Sequence, residues 1–219
     1  MFARVRVVGH GRLGSAVDAR LAESGLISTD PDADLVILCV PDRAIPEVAR
    51  GIESGPWVAH MSGAVPLSAL SPHTRRFGVH PLQTFMPGGG PQQLDGASGA
   101  VTAETGEGRA HGHWLASTLK LKPFDLDERQ RVLYHAGATV ASNFLVTLYR
   151  AARQLVEAAG APADGLLPLM RRTMDNGFDL TGPIARGDWS TVDAHLAAIH
   201  EHAPDLEELY RALAKATRP

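Results

Sequence analysis

What most narrows the fold of this 219-residue chain is Gly9-His10-Gly11-Arg12-Leu13-Gly14, set directly after the β-branched run Val5–Val8. Leu13, Val17 and Leu21 then recur at helical spacing until Gly25 supplies a stop. A GxGxxG between a strand and a helix is the pattern of a dinucleotide-binding turn. The first glycine permits the tight turn, the second lets a pyrophosphate approach the backbone, and the third lets helix pack on strand, while the helix N-terminus favours the anion. Glycines in any strand-to-helix turn can give the same spacing by chance, and only the flanking strand and helix argue against that. The candidate cofactor-binding residues are thus Gly9, His10, Gly11, Arg12, Leu13 and Gly14.

Leu35-Val36-Ile37-Leu38-Cys39-Val40 is an uninterrupted apolar run, as a parallel strand buried on both faces requires, and Pro41-Asp42 ends it. With the first strand and helix it completes a βαβ unit. Further strands are predicted at Trp57–Met61, Phe77–Val79 and Ser98–Thr102, and helices at Ile45–Ile52 and Arg109–Leu119. One piece is missing. A full dinucleotide site has a second strand whose end, about 20 residues past the glycines, offers an acid to the adenosine ribose or a base to a 2′-phosphate. Only nine residues separate Gly25 from Leu35, too few for a strand plus a crossover of roughly a dozen residues. Asp30, Asp32 and Asp34 in this loop could reach a ribose, although acids near turns are more often caps. The fold class is α/β: a Rossmann-like parallel sheet lacking its second strand and helix over residues 1–124, and an all-α domain over 125–219.

From Asp125 the pattern is helical. One helix is predicted to run to about Ala159 and to stop at Gly160-Ala-Pro162, roughly 50 Å at ~1.5 Å per residue. Helices of that length commonly span subunit interfaces, and a homodimer is expected. His135, Thr139 and Asn143 lie four residues apart on it, away from the direction marked by Leu133, Val140, Phe144 and Leu148. They suit a proton donor and a substrate anchor, or equally a set of helix-to-helix hydrogen bonds. His60-Met-Ser-Gly63 and His80-Pro-Leu-Gln-Thr-Phe85 each follow a short apolar segment, where open α/β sheets place ligand contacts. Pro87–Pro91 reads as a loop able to move.

Composition excludes other classes. A net charge of -3 with both signs mixed leaves no basic field for nucleic acid and no polybasic arm for a membrane. The single cysteine, Cys39, rules out a disulfide framework and fits a reducing compartment. The apolar start is too short for a signal-peptide core, so the cytoplasm is expected. His111/His113 and His200/His202 are two apart on predicted helices and do not face together, so no metal site is expected. Arg186-Gly-Asp188 matches an adhesion tripeptide by coincidence.

Over nearly its whole length the chain resembles the Rossmann-like proteins with a C-terminal domain of unknown function 2520, relatives of ketopantoate reductase, pyrroline-5-carboxylate reductase and 6-phosphogluconate dehydrogenase. The resemblance rests on Gly9 to Gly14, Val40-Pro-Asp42, His60-Met-Ser-Gly63, His80-Pro-Leu-Gln-Thr-Phe85, Tyr134-His135 with Asn143, and Leu180-Thr-Gly-Pro-Ile-Ala-Arg-Gly-Asp188. It implies NADP binding, with NAD as the alternative, at the glycine turn with Val40, Pro41 and Ser62 beside it. It also implies a helical dimerisation domain and hydride transfer to the carbonyl or imine of a small molecule. In better-known relatives a lysine on the corresponding helix protonates the developing alkoxide and an asparagine places the substrate. Here the resemblance implies His135 and Asn143 in those roles; His80, at its strand end, is a further catalytic candidate, and Thr139, Thr181 and Arg186 are candidate substrate contacts. A reductase of a small keto acid, 2-dehydropantoate first, is the expected function. A ligand-binding or regulatory dimer with a degenerate dinucleotide site is the alternative.

Overall fold

Four consecutive buried residues form strand β2 (Leu35–Leu38), and they divide strictly between two cores. Leu35 and Ile37 join Val5, Val17, Leu21, Phe77 and Leu115 on one face, while Val36 and Leu38 join Ile45, Val58, Leu67 and Leu70 on the other. Alternate side chains of a strand point to opposite faces, so a sheet covered on both sides needs such a run. The computed structural model describes residues 1–29 and 32–217. In it β1 (Val5–Val8), β2, β3 (Trp57–His60) and β4 (Arg76–Pro81) are parallel neighbours. Next comes β5 (Ser98–Ala103), antiparallel to β4, and then β6 (Lys122–Asp125), parallel to β5. Helices α1 (Arg12–Glu23), α2 (Ile45–Arg50) and α3 (Gly106–Thr118) make the crossovers after β1, β2 and β5.

Every strand and helix expected before residue 120 is present, with ends moved by a few residues. The sixth strand was not expected, because Lys122-Pro-Phe-Asp has no apolar run. Its proline is tolerated at the edge of the sheet, where a missing N–H costs no ladder bond. The missing second strand is reduced to one bridge. Val5 N–H donates to the Leu26 carbonyl (2.8 Å) and Ser28 N–H to the Val5 carbonyl (2.9 Å), pairing Ile27 with Val5. Among the described residues between α1 and β2 there is no helix. Asp30 lies outside the described residues. Asp34 turns to the chain start, accepting from the backbone N–H groups of Arg4 (2.9 Å) and Ala3 (3.0 Å), which hold its carboxyl below the usual range.

The chain divides into two compact units, Met1–Thr139 and Val140–Pro219. The first ends with a 3₁₀ turn, Glu128–Gln130, and α4 (Arg131–Thr139). The second holds a π-helical turn, Val140–Phe144, then α5 (Leu145–Ala158), α6 (Leu166–Asp175), α7 (Trp189–His202) and α8 (Glu207–Ala216). The single unbroken helix expected from the sequence is therefore corrected to two α-helices joined by a π turn. Thr139 Oγ1 donates to the His135 carbonyl (3.0 Å) in the last turn before it widens. Spacing arguments built on 3.6 residues per turn do not carry across it.

Helices α5 and α6 contain no buried residue, and Phe144, Leu145, Leu148, Leu167 and Leu169 are exposed. Asp188 of the Arg-Gly-Asp tripeptide caps α7, accepting from the Thr191 N–H (3.1 Å), so its role there is structural. Among the described residues no helix is long and apolar enough to cross a membrane.

Candidate active site

The glycine turn is built by close packing at two ends and openness in the middle. Gly9 has φ +96°, and a Cβ there would stand 2.6 Å from the Cys39 carbonyl oxygen. A Cβ on Gly14 would stand 1.8 Å from the Gly9 carbonyl oxygen, so α1 can sit on the turn only with glycine there. Cys39, wedged in this packing, is an inert thiol that burial pushes up to about 12. Gly11 is the opposite case. It caps α1 with no side-chain bond, no acid occupies the first turn, and a Cβ would meet nothing within 4 Å. The start of the helix is thus not covered by side-chain packing at Gly11, which suits the approach of a phosphate. His10, Gly11, Arg12 and Ser15 line a cavity of about 420 Å³ whose other wall is Met86 to Gly90 and Gln93. The Pro87–Pro91 loop is held at its base: Gln93 Oε1 accepts from Met86 N–H (2.7 Å), and the buried Arg20 donates to the Pro91 carbonyl (2.9 Å) and pairs with Asp95.

A second group stands at the carboxyl ends of β3 and β4. His80, near the end of β4, places Nδ1 3.3 Å from the Tyr134 hydroxyl, and its ring centroid lies 5.9 Å from that of His135. Tyr134 and His135 come from α4, and Gly63 is what lets the rings meet. A Cβ on Gly63 would lie 2.7 Å from His135 Cδ2 and 2.9 Å from His80 Nε2. Burial pulls His80 down to about 4, with the neighbouring His135 and Arg131 adding to the shift and Asp42 opposing it. Burial raises the Tyr134 phenol, with Arg131 opposing. Both side chains are therefore neutral near pH 7.

Other candidates have structural duties or belong to the second unit. Ser62 Oγ accepts from the N–H groups of Val65 (3.0 Å) and Ala64 (3.2 Å), closing the turn after β3. His60 is not on the rim, as expected from the sequence, but fully buried as the last residue of β3. Burial, then Arg131, lowers it to about 3, and among the described residues neither ring nitrogen has a hydrogen-bond partner. Val40 and Pro41 follow β2, Val40 standing beside Gly9, and Asp42 opens a 3₁₀ turn after them. Leu13 packs against the core. Asn143, Thr181 and Arg186 belong to the second unit, where Asn143 Oδ1 accepts from the Ser142 hydroxyl (3.2 Å) and Thr181 and Arg186 are exposed. No cluster of three or more His, Cys, Asp or Glu side chains suited to a metal ion gathers among the described residues.

Three members of the His80 group went without a role in the sequence: Gly63, Tyr134 and Arg131. The last left one trace, a glycine inside a strand. A Cβ on Gly78 would lie 3.2 Å from an Arg131 guanidinium nitrogen, and strand glycines often mark such close approach.

Solved structures share this architecture. A candidate NADP oxidoreductase from Bacteroides fragilis is similar at 24% identity and a TM-score of 0.80, covering 98% of this chain and 97% of that one. A Thermotoga maritima protein is similar at 24% identity and a TM-score of 0.78, covering 97% and 96%. An imine reductase from Streptomyces aurantiacus is similar at 16% identity and a TM-score of 0.66, covering 98% and 93%. These likenesses establish the fold. No curated protein matches the chain. Residues 98–217, more than half of the sequence, match the family described as Domain of unknown function (DUF2520). With its Rossmann-like sheet ahead of and into that region, the chain belongs to this family.

Proposed function

We propose that this chain is a nicotinamide-dependent oxidoreductase that prefers NADP and reduces a small keto acid, with 2-dehydropantoate the first substrate to try. One observation carries the reading: the open glycine turn and the His80–Tyr134–His135 group both stand at the carboxyl ends of parallel strands of one sheet, where α/β proteins bind ligands. The residues fit a dinucleotide. Gly11 and the first N–H groups of α1 would hold the pyrophosphate, Arg12 and His10 would flank it, and Val40, Pro41 and Ser62 would line the path toward the histidines. When bound, the cofactor supplies hydride. The chain supplies the proton: His135 donates it to the substrate oxygen, and His80 with Tyr134 fixes the ring environment and stays uncharged. Asn143, Thr139, Thr181 and Arg186 are put forward for the substrate, with Arg186 taking a carboxylate.

We also propose a functional division at Asp125 and a homodimer formed through the helical half, supported by α5 and α6 having no buried residue. The single bridge at Ile27 favours a second reading, a ligand-binding or regulatory dimer, because an adenosine would find few contacts at that edge. Calorimetric titration with NADPH and NADH separates the two. Binding followed by cofactor oxidation in a panel of keto acids and imines supports the reductase. No binding at millimolar cofactor leaves the second reading.

A further inference from the structure

Arg131 opens α4 with its side chain almost wholly inside the protein, 1% exposed. A buried guanidinium must find acceptors in several directions. One nitrogen donates to Thr102 Oγ1 on β5 (2.9 Å) and another to the Ser62 carbonyl, 69 residues away in sequence. Its Nε lies 3.9 Å from a carboxylate oxygen of Glu128, whose other oxygen accepts from the Leu67 N–H (2.7 Å). Gly78 leaves the space it fills. These contacts tie α4 to the loop after β3 and to β5.

The consequence lies one peptide further on. The Ser62 carbonyl and the Gly63 N–H belong to the same rigid plane, so whatever fixes the first fixes the second. Gly63 is the backbone against which the rings of His80 and His135 pack, and His135 is four residues after Arg131 on the same side of α4. We propose that Arg131 is the positioning residue of this site: its guanidinium clamps the Ser62–Gly63 peptide and so sets where His80 and His135 stand. This rests on the reading of those histidines as the proton-handling groups. The same cation also acts on His80 by charge. The groups facing His80 are Tyr134, His135 and Arg131 from α4, Asp42 from the turn after β2 and the buried His60 of β3, and Arg131 is the permanent positive charge among them. It helps keep the ring neutral.

The test uses the full chain with three substitutions, Arg131→Lys, Arg131→Met and Thr102→Val, and follows the ring signals of His80 and His135 by NMR against pH. Arg131→Met is expected to raise the His80 midpoint by about half a unit or more and to weaken the His80–His135 cross-peak. Arg131→Lys keeps the charge and loses the fork, so it weakens the cross-peak while the midpoint stays low. Folded Arg131→Met with both signals as in the wild type overturns the proposal. Should that variant not fold, Thr102→Val decides: it removes one anchor at nearly constant volume, and an unchanged cross-peak overturns the proposal equally. NADPH titration of the unaltered protein runs beside these. Its failure speaks against the reductase reading and leaves the clamp standing.

Discussion

The backbone of Gly63 and the ring of His135 touch: a Cβ on the glycine would stand 2.7 Å from Cδ2 of the histidine. Any side chain there must push the ring away, and His80 lies on the same side at 2.9 Å. Overpacking of this kind costs roughly 1–3 kcal/mol. Gly63→Ala is expected to lower the melting temperature modestly and turnover more than ten-fold, or about 1.4 kcal/mol and upward in the barrier. NADPH affinity should hold, because the glycine turn is not disturbed. Unchanged turnover would remove the histidine pair from the chemistry.

Gly11 and Gly14 should separate binding from folding. Gly11→Val adds a side chain where nothing stands within 4 Å, so the melt should be near that of the wild type while NADPH binding weakens about ten-fold or more. Gly14→Ala places a methyl 1.8 Å from a backbone oxygen, so it should fail to fold or melt far lower. Parallel calorimetry and thermal melts check both. Full NADPH affinity in Gly11→Val would move the cofactor elsewhere.

Acid stability should carry the mark of His80. Its folded-state midpoint of about 4 is below the ordinary 6.5, so above 6.5 the ring is neutral whether folded or not. Below 6.5 the unfolded chain takes up a proton that the folded one refuses, and stability falls until the pH reaches about 4. The loss over that window is on the order of 3 kcal/mol. His60, near 3, adds in the same direction and further down. Denaturant midpoints between pH 7 and 4 should therefore fall less steeply for His80→Gln than for the wild type. Parallel slopes would contradict the buried, neutral ring.

Proton donation should divide the roles of two polar residues. A well-placed acid typically contributes ~10²- to 10⁴-fold, so His135→Ala should depress turnover far more than cofactor binding, whereas Asn143→Ala should chiefly raise the apparent substrate constant. Steady-state kinetics on a substrate from the screen, with melts as control, checks this. Equal turnover in His135→Ala passes the role to His80.

Association should follow from the bare helices. Leu145 and Leu148 are exposed on α5, which buries no residue of its own. Sedimentation at micromolar protein should give a dimer, and Leu148→Glu should shift it toward monomer by placing a charge in the contact. A wild-type monomer would end the dimer proposal.

The sequence by itself determined most of the sheet and its glycine turn, because both are local. Gly9 to Gly14 between a strand and a helix, and Leu35 to Leu38 buried on both faces, follow from short-range sterics and from the period of the apolar residues. The nine residues after Gly25 even announced the lost strand, since chain length bounds what can be crossed. Edge strand β6 escaped because an edge needs little apolar surface, and the π turn because its residues read like those of any α-helix. Only the tertiary structure decided the site. His80 meets Tyr134 across 54 residues and Arg131 meets Ser62 across 69, pairings that no local pattern encodes. Whether a histidine is a buried strand residue like His60 or a rim group like His80 depends on what the folded chain packs over it. That packing sets both its exposure and its charge.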